Sequence, residues 1–156
     1  MKKNGFTLIE LLIVIAIIGL VAAIAVPNLL IALQKSRVKA TMGDLKTLGT
    51  AVESYIHDNN FCPQTAAGDL STLRPILTPF HIKNIRTIDA WGIALRWDQS
   101  GNHTETYSIT SYGRDHIPGG PLGNPSAGIF YDLHTINDFD NDIVFNLGQF
   151  SFAPRF

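Results

Sequence analysis

The chain has 156 residues, 46% of them apolar, with a formal net charge of −1 and a single cysteine, Cys62. This length suits one ordinary domain together with an N-terminal segment. The near-zero net charge provides no whole-protein field that would attract nucleic acid, and one cysteine excludes an internal disulfide framework.

The first predicted element is an apolar helix at the N-terminus. The run from Phe6 to Val26 is 21 residues long and holds only one charged residue, Glu10. About 20 such residues cross the ~30 Å hydrocarbon layer of a bilayer. Lys2 and Lys3 precede the run. Because lysine and arginine are enriched on the cytoplasmic side of membrane-spanning helices, we expect the N-terminal end of this helix in the cytoplasm. We therefore predict one membrane-spanning helix, followed by an exported remainder.

Glu10 separates the alternatives for this helix. A secretory signal has a shorter apolar core of about 7–15 residues and a small-residue cleavage site, whereas here Pro27 follows the run. A plain membrane anchor leaves Glu10 unexplained, because a carboxylate in lipid costs about 2.5–3.5 kcal/mol. A cut between Gly5 and Phe6 would create a compensating α-amino group four residues before Glu10.

The segment 2–10 (KKNGFTLIE) and the apolar run after it resemble the prepilin peptidase signal of type IV pilins and type II secretion pseudopilins. The resemblance implies cleavage after Gly5 and N-methylation of Phe6. It also implies that Glu10 neutralises the Phe6 amine of a neighbouring subunit in a filament.

The same resemblance divides the chain into three parts. Residues 1–5 form a leader peptide, and residues 6–27 form a transmembrane helix that becomes the filament core. Residues 28–156 form a periplasmic head that includes the second half of the helix. The implied fold is α+β, the type IV pilin fold, in which a long N-terminal helix packs on a small antiparallel sheet.

The helical pattern continues beyond the membrane segment. Apolar residues recur at Val38, Leu45 and Val52, the spacing of one helix face. We predict one helix from Phe6 to about Asp58, bent at Pro27 because proline removes a backbone hydrogen bond. The glycines within its second half, Gly43 and Gly49, are expected to permit close packing of the head.

Shorter elements are predicted in the remainder. A short helical pattern covers Leu70 to Leu77, and β-branched and aromatic residues favour strands at Leu95–Trp97 and Thr106–Thr110. Residues 99–102 make a hairpin turn between these strands plausible. Residues 143–156, rich in phenylalanine, are predicted to cover the sheet as an edge strand, with a contact to the next subunit or to cargo as the alternative.

Two further motifs indicate which members of this family the chain resembles most. Residues 89–92 (DAWG) resemble the Asp-Pro-Trp-Gly turn of the major pseudopilins of type II secretion systems, with Ala90 where proline is usual. Residues 111–115 (SYGRD), followed by 118–120 (PGG), resemble the Ser-Tyr-Gly-Ala-Asp and Pro-Gly-Gly loop of the same proteins.

That loop suggests a metal site. The resemblance implies that Asp115, with Asp140 and Asp142, binds Ca²⁺, and Asp138 is a further candidate ligand. Asp132 lies with Asp138, Asp140 and Asp142 in residues 132–142, which contain no Lys or Arg. Ca²⁺ takes 6–8 oxygen ligands, and carboxylates can supply several of them. The alternative is a solvated acidic loop. The long insertion at 121–139 is expected to bear on the choice of ligands.

No residue pattern predicts an enzyme. The five histidines lack the i, i+4 helical pairing of a zinc site and are interpreted as surface or hydrogen-bonding residues: His57, His81, His103, His116 and His134. The glycine pair at 119–120 lacks the Gly-Lys-Ser/Thr ending of a phosphate-binding loop. A membrane-tethered enzyme or binding module is therefore the least favoured function.

The resemblance implies a structural filament subunit, a major pseudopilin whose polymer drives protein export across the outer membrane. The alternative is a type IV pilin, major or minor, for adhesion, twitching motility or DNA uptake. The implied partners are other copies of the chain, minor pseudopilins or pilins, the prepilin peptidase, the inner-membrane assembly platform, and lipid before assembly. Nucleic acid is not expected as a partner.

Overall fold

The structure, a computed structural model, describes residues 5–99, 105–119 and 129–155. These residues divide between Gln34 and Lys35 into two compact units. In chain order the elements are α1 (Leu8–Asn59), β1 (Gly68–Asp69), a 3₁₀ helix (Leu70–Leu73), α2 (Arg74–Leu77), β2 (Arg96–Gln99), β3 (Tyr107–Ser111), β4 (Ile129–Tyr131), a second 3₁₀ helix (Ile136–Asp140), β5 (Ile143–Asn146) and β6 (Gln149–Pro154).

The first unit contains the N-terminal part of α1. The helix continues through Pro27, as the sequence predicts, and the Asn28 side chain donates to the carbonyl of Ile24 over 3.1 Å. Proline has no N–H to donate, so one backbone hydrogen bond of the helix is missing at Pro27. The side chain of Asn28 adds one hydrogen bond next to that position. A bend at Pro27 stays a prediction.

The second unit begins with the remainder of α1. Its buried side chains recur every three or four residues, which confirms the face predicted from the sequence: Val38, Thr41, Leu45, Leu48 and Val52. This spacing aligns side chains along one side of a helix. The face forms part of a core that also holds Trp97, Tyr107, Phe139, Phe145 and Phe152.

Gly49 lets the helix approach the sheet closely. A Cβ atom at this position would overlap the ring of Phe145, which is buried in β5. Gly43 has no atom within 4 Å of the corresponding position. The close-packing role predicted for both glycines is therefore confirmed for Gly49, and at Gly43 the open space gives no such contact.

A Gly49→Ala substitution is expected to lower the free energy of unfolding by about 2 kcal/mol, because the added methyl overpacks the ring of Phe145. The matched control is Gly43→Ala, which fills open space and should raise stability by up to about 1 kcal/mol through helix propensity. Denaturant unfolding of the two variants measures the difference. Equal effects of the two substitutions would contradict the packing explanation.

The strands form one sheet with the order β1-β2-β3-β5-β6-β4. All neighbouring pairs are antiparallel except β4 and β6, which are parallel. The predicted pair of strands is confirmed, since Arg96 lies opposite Thr110 and Gln99 opposite Tyr107. The turn between these strands lies partly outside the described residues. A long helix packed with this sheet confirms the predicted α+β fold.

The prediction of one edge strand at the C-terminus is wrong. Residues 143–154 form a hairpin, β5 and β6, around Leu147 and Gly148, which both have positive φ angles. β6 lies inside the sheet because β4, from the insertion at 121–139, pairs with it in parallel and takes the edge. The backbone N–H of Arg155 extends this contact by donating to the carbonyl of Tyr131.

Cys62 is fully buried and is not part of a disulfide bond. Its thiol lies 3.5 Å from the Gln99 side-chain oxygen and 3.9 Å from the carbonyl of Thr106. A buried cysteine in such surroundings behaves as a small packing residue, so a disulfide between subunits would require this part of the head to open.

Candidate functional site

The N-terminus of α1 is closed by a capping box. The backbone N–H and the hydroxyl of Thr7 both donate to Oε2 of Glu10, over 2.8 Å and 2.7 Å. The N–H of Glu10 donates to Oγ1 of Thr7 over 3.3 Å. This reciprocal pattern satisfies helix donors that lack an intrahelical partner. Glu10 therefore has a local role within one subunit, in addition to the intersubunit role predicted for it.

The predicted processing site lies directly before this cap. Gly5 and Phe6 precede the helix, and the Phe6 side chain is 77% exposed. A Cβ atom at Gly5 would have nothing within 4 Å. The peptide bond between them thus lies in non-helical, exposed backbone, four residues from Glu10. Cleavage, methylation and the pairing of Glu10 with a neighbour stay predictions.

The first turns of α1 present a large apolar surface. Every large hydrophobic side chain from Leu8 to Leu30 is exposed, with values between 45% and 81%. In the part of the chain that the structure describes, α1 is the one helix long and apolar enough to cross a membrane. Such a surface is far larger than monomeric soluble proteins expose, so it requires lipid or protein as a partner.

The DAWG turn is organised around one buried carboxylate. Oδ1 of Asp89 accepts the backbone N–H groups of Trp91 and Ile93, each over 2.9 Å. Oδ2 accepts the hydroxyl of Ser111 in β3 over 2.8 Å. Asp89 therefore ties the turn to the sheet, and its burial is tolerated because its oxygens are satisfied.

The alanine of this turn contributes a hydrogen bond that proline lacks. The N–H of Ala90 donates to Oγ1 of Thr41, a buried residue of α1, over 3.1 Å. A proline at this position would have no N–H. The departure from the resembled motif thus gives the turn a direct bond to the helix.

The segment after β3, residues 112–119, is called the β3 loop below, and residues 136–142 are called the acidic turn. Gly113 has a φ of +66°, and a Cβ there would lie 2.6 Å from the carbonyl oxygen of Asn141. The N–H of Arg114 donates to the carbonyl of Phe139 over 2.8 Å. The β3 loop and the acidic turn therefore touch through their backbones.

The predicted metal ligands have separate partners. Asp140 is bound by the guanidinium of Arg114 through both carboxylate oxygens, over 2.6 Å and 2.8 Å. Oδ2 of Asp138 accepts the N–H groups of His134 and Thr135 over 2.9 Å and 2.6 Å, in a capping box of the 3₁₀ helix. The Asp138 carboxylate is thus used locally. Burial alone would raise its pKa, but the hydrogen bonds from Thr135 and His134 together outweigh burial and hold the pKa below the ordinary value.

Asp142 and Asp115 are the remaining two predicted metal ligands. Asp142 is buried; its Oδ2 accepts the N–H of Gly119 over 2.8 Å, while its buried Oδ1 has no hydrogen-bond partner among the described residues. Burial raises the pKa of Asp142 to about 6, and the nearby Asp115 carboxylate adds to the rise. Oδ1 of Asp115 accepts the N–H of Ile117 over 2.9 Å.

These contacts do not fit a three-carboxylate calcium site as the residues stand. The open Oδ1 of Asp142 suits a cation, but both oxygens of Asp140 are engaged by Arg114. Within 5–99, 105–119 and 129–155, no three His, Cys, Asp or Glu side chains group to hold a metal. Calcium binding itself stays a prediction.

Sequence reasoning missed two residues of these sites. Thr7 stands three positions before Glu10, a spacing typical of a capping box, so the signal was present. Arg114 stands where the resembled loop has alanine, which marked a departure, but its pairing with Asp140 joins residues 26 apart in the chain.

Comparison with known proteins gives two adjoining family matches. Residues 1–26 match the prokaryotic N-terminal methylation motif, and residues 28–126 match the type II secretion system (T2SS), protein G. No solved structure matches the chain significantly.

Curated relatives that match the chain carry the name type II secretion system core protein G. The protein of Escherichia coli (strain K12) is 32% identical over 73% of this chain and 83% of its own length. That of Dickeya chrysanthemi is 30% identical over 75% and 81%, and that of Pseudomonas aeruginosa is 28% identical over 81% and 94%.

Proposed function

Because the chain belongs to the type II secretion system protein G family, the major pseudopilins, we propose that it is made as a precursor and polymerised into a pseudopilus. The precursor is cleaved after Gly5, and the new N-terminus at Phe6 is methylated. The resulting filament pushes exported proteins through a secretion channel across the outer membrane. Its role is structural, as that of the family is.

One observation carries this proposal. A match to the methylation motif over 1–26 is followed almost at once by the match to the secretion protein over 28–126. The motif ends within α1, whose large apolar residues from Leu8 to Leu30 are exposed. Motif, apolar helix and head thus occur in the order that a membrane-anchored pseudopilin requires.

The exposed apolar residues of α1 support polymerisation. Burial of apolar surface contributes roughly 25 cal/mol per Å², so these side chains are driven out of water. Before assembly we propose that lipid covers them, with the head in the periplasm and the helix crossing the inner membrane once. After assembly, the same surface packs against other copies of the chain.

The proposed partners follow from this sequence of events. The prepilin peptidase acts at Gly5 and Phe6, the inner-membrane assembly platform receives the processed subunit, and minor pseudopilins join the filament. Glu10 compensates the charged amine that cleavage creates on a neighbouring Phe6, since an isolated charge among apolar helices is costly.

Deletion of the gene is expected to leave exported proteins in the periplasm, and the wild-type chain should restore their release. A Gly5→Leu chain should remain an unprocessed precursor and restore nothing, whereas Gly43→Leu, a change at an exposed position with open space, should restore release. Immunoblots of periplasm and medium measure the result. Normal export with lost surface adhesion or twitching would instead support a type IV pilin.

A further inference from the structure

One ion pair joins the β3 loop to the acidic turn. Arg114 Nε donates to Oδ1 of Asp140 over 2.6 Å, and Nη2 donates to Oδ2 over 2.8 Å. The two side chains are only 31% and 14% exposed. A bidentate pair with this geometry is charge-assisted at both bonds and stronger than a neutral hydrogen bond.

The pair lies where the two segments already meet through their backbones. The N–H of Arg114 donates to the carbonyl of Phe139, and Gly113 lies against the carbonyl of Asn141. Because the neighbouring backbone is already held, forming the ion pair costs the freedom of the two side chains but not that of the backbone.

The contact between the β3 loop and the acidic turn is rich in negative charge. Asp115 directly follows Arg114 in the β3 loop. Asp140 and Asp142 belong to the acidic turn on the other side. Carboxylates on two touching segments repel one another unless a cation offsets their charge.

We infer that Arg114 takes the place of a divalent cation and holds the β3 loop to the acidic turn without metal. A calcium ion would need both more oxygens and the release of Asp140, because it takes 6–8 oxygen ligands. It would also lie beside a guanidinium, which stays protonated at any ordinary pH. The chain therefore supplies from its own sequence the charge that the resembled loop, with alanine at this position, lacks.

The first test measures the calcium response of the full wild-type chain in detergent micelles. Thermal unfolding is followed by tryptophan fluorescence in EDTA, in millimolar CaCl₂ and in MgCl₂ as the ionic control. We expect the same midpoint in all three. A midpoint that rises specifically in CaCl₂ would overturn the inference, because a ligand that binds the folded state alone must raise it.

The second test measures the pair by a double-mutant cycle. Arg114→Ala and Asp140→Ala should each lower the midpoint by about 5 °C, and the double variant should fall no further than the worse single. Arg114→Lys should show an intermediate loss, because lysine lacks the fork that binds both oxygens. Arg96→Ala, which removes an exposed arginine of β2, serves as the control. Strictly additive losses would overturn the inference, since uncoupled residues add.

Discussion

A chain with Glu10→Gln is expected to be inserted and cleaved normally, yet to build no filament and restore no secretion. In the proposed polymer, the carboxylate of Glu10 compensates the amine of a neighbouring Phe6. Glutamine has the same shape but no charge, so the amine would be buried without a counter-ion. An uncompensated charge costs several kcal/mol in such surroundings. Electron microscopy of filaments and immunoblots of the medium measure the outcome.

The capping box supplies the control for this prediction. Glutamine also completes a capping box, so Glu10→Gln retains the local contact with Thr7. The complementary variant, Thr7→Ala, removes the hydroxyl contacts and keeps the charge, and it should assemble nearly normally. If Thr7→Ala abolished filaments and Glu10→Gln did not, helix capping rather than charge pairing would be the role of Glu10.

An Asp89→Ala variant is expected to lose about 3 kcal/mol of unfolding free energy, because three buried or partly buried donors lose their acceptor. Those donors are the backbone N–H groups of Trp91 and Ile93 and the hydroxyl of Ser111. The loss would loosen the contact between the DAWG turn and β3. Denaturant unfolding of the full chain in detergent, followed by tryptophan fluorescence, measures it.

Asp89→Asn is the matched variant for that experiment. Asparagine keeps an acceptor at Oδ1 for Trp91 and Ile93, and its amide can donate to the hydroxyl of Ser111, which can turn to accept. Its expected loss is about 1 kcal/mol. Equal losses for the alanine and asparagine variants would show that charge, rather than the number of hydrogen bonds, makes Asp89 important.

The sequence predicted what depends on local pattern. The period of Val38, Leu45 and Val52 was sufficient to place the buried face of α1, and β-branched and aromatic residues located β2 and β3. Each of these signals lies within a few residues of the chain. The capping box of Thr7 and Glu10 was equally local, so it was available from the sequence as well.

The position of β4 was not available in the same way. Its parallel pairing with β6 places Ile129 opposite Phe152, and such a long-range register leaves no local trace. The pair of Arg114 and Asp140 is similar, because a loop arginine among aspartates has several candidate partners. Only the folded backbone, which brings Arg114 beside Phe139, selects one of them.

Among the described residues, the two edge strands of the sheet are short: β1 has two residues and β4 has three. A long, exposed edge strand would let strands of adjacent molecules pair with it, which is a common route to aggregation. The described parts of heads crowded along a fibre would therefore offer each other few unpaired backbone groups, and the contacts that direct growth would come from α1 and its Glu10.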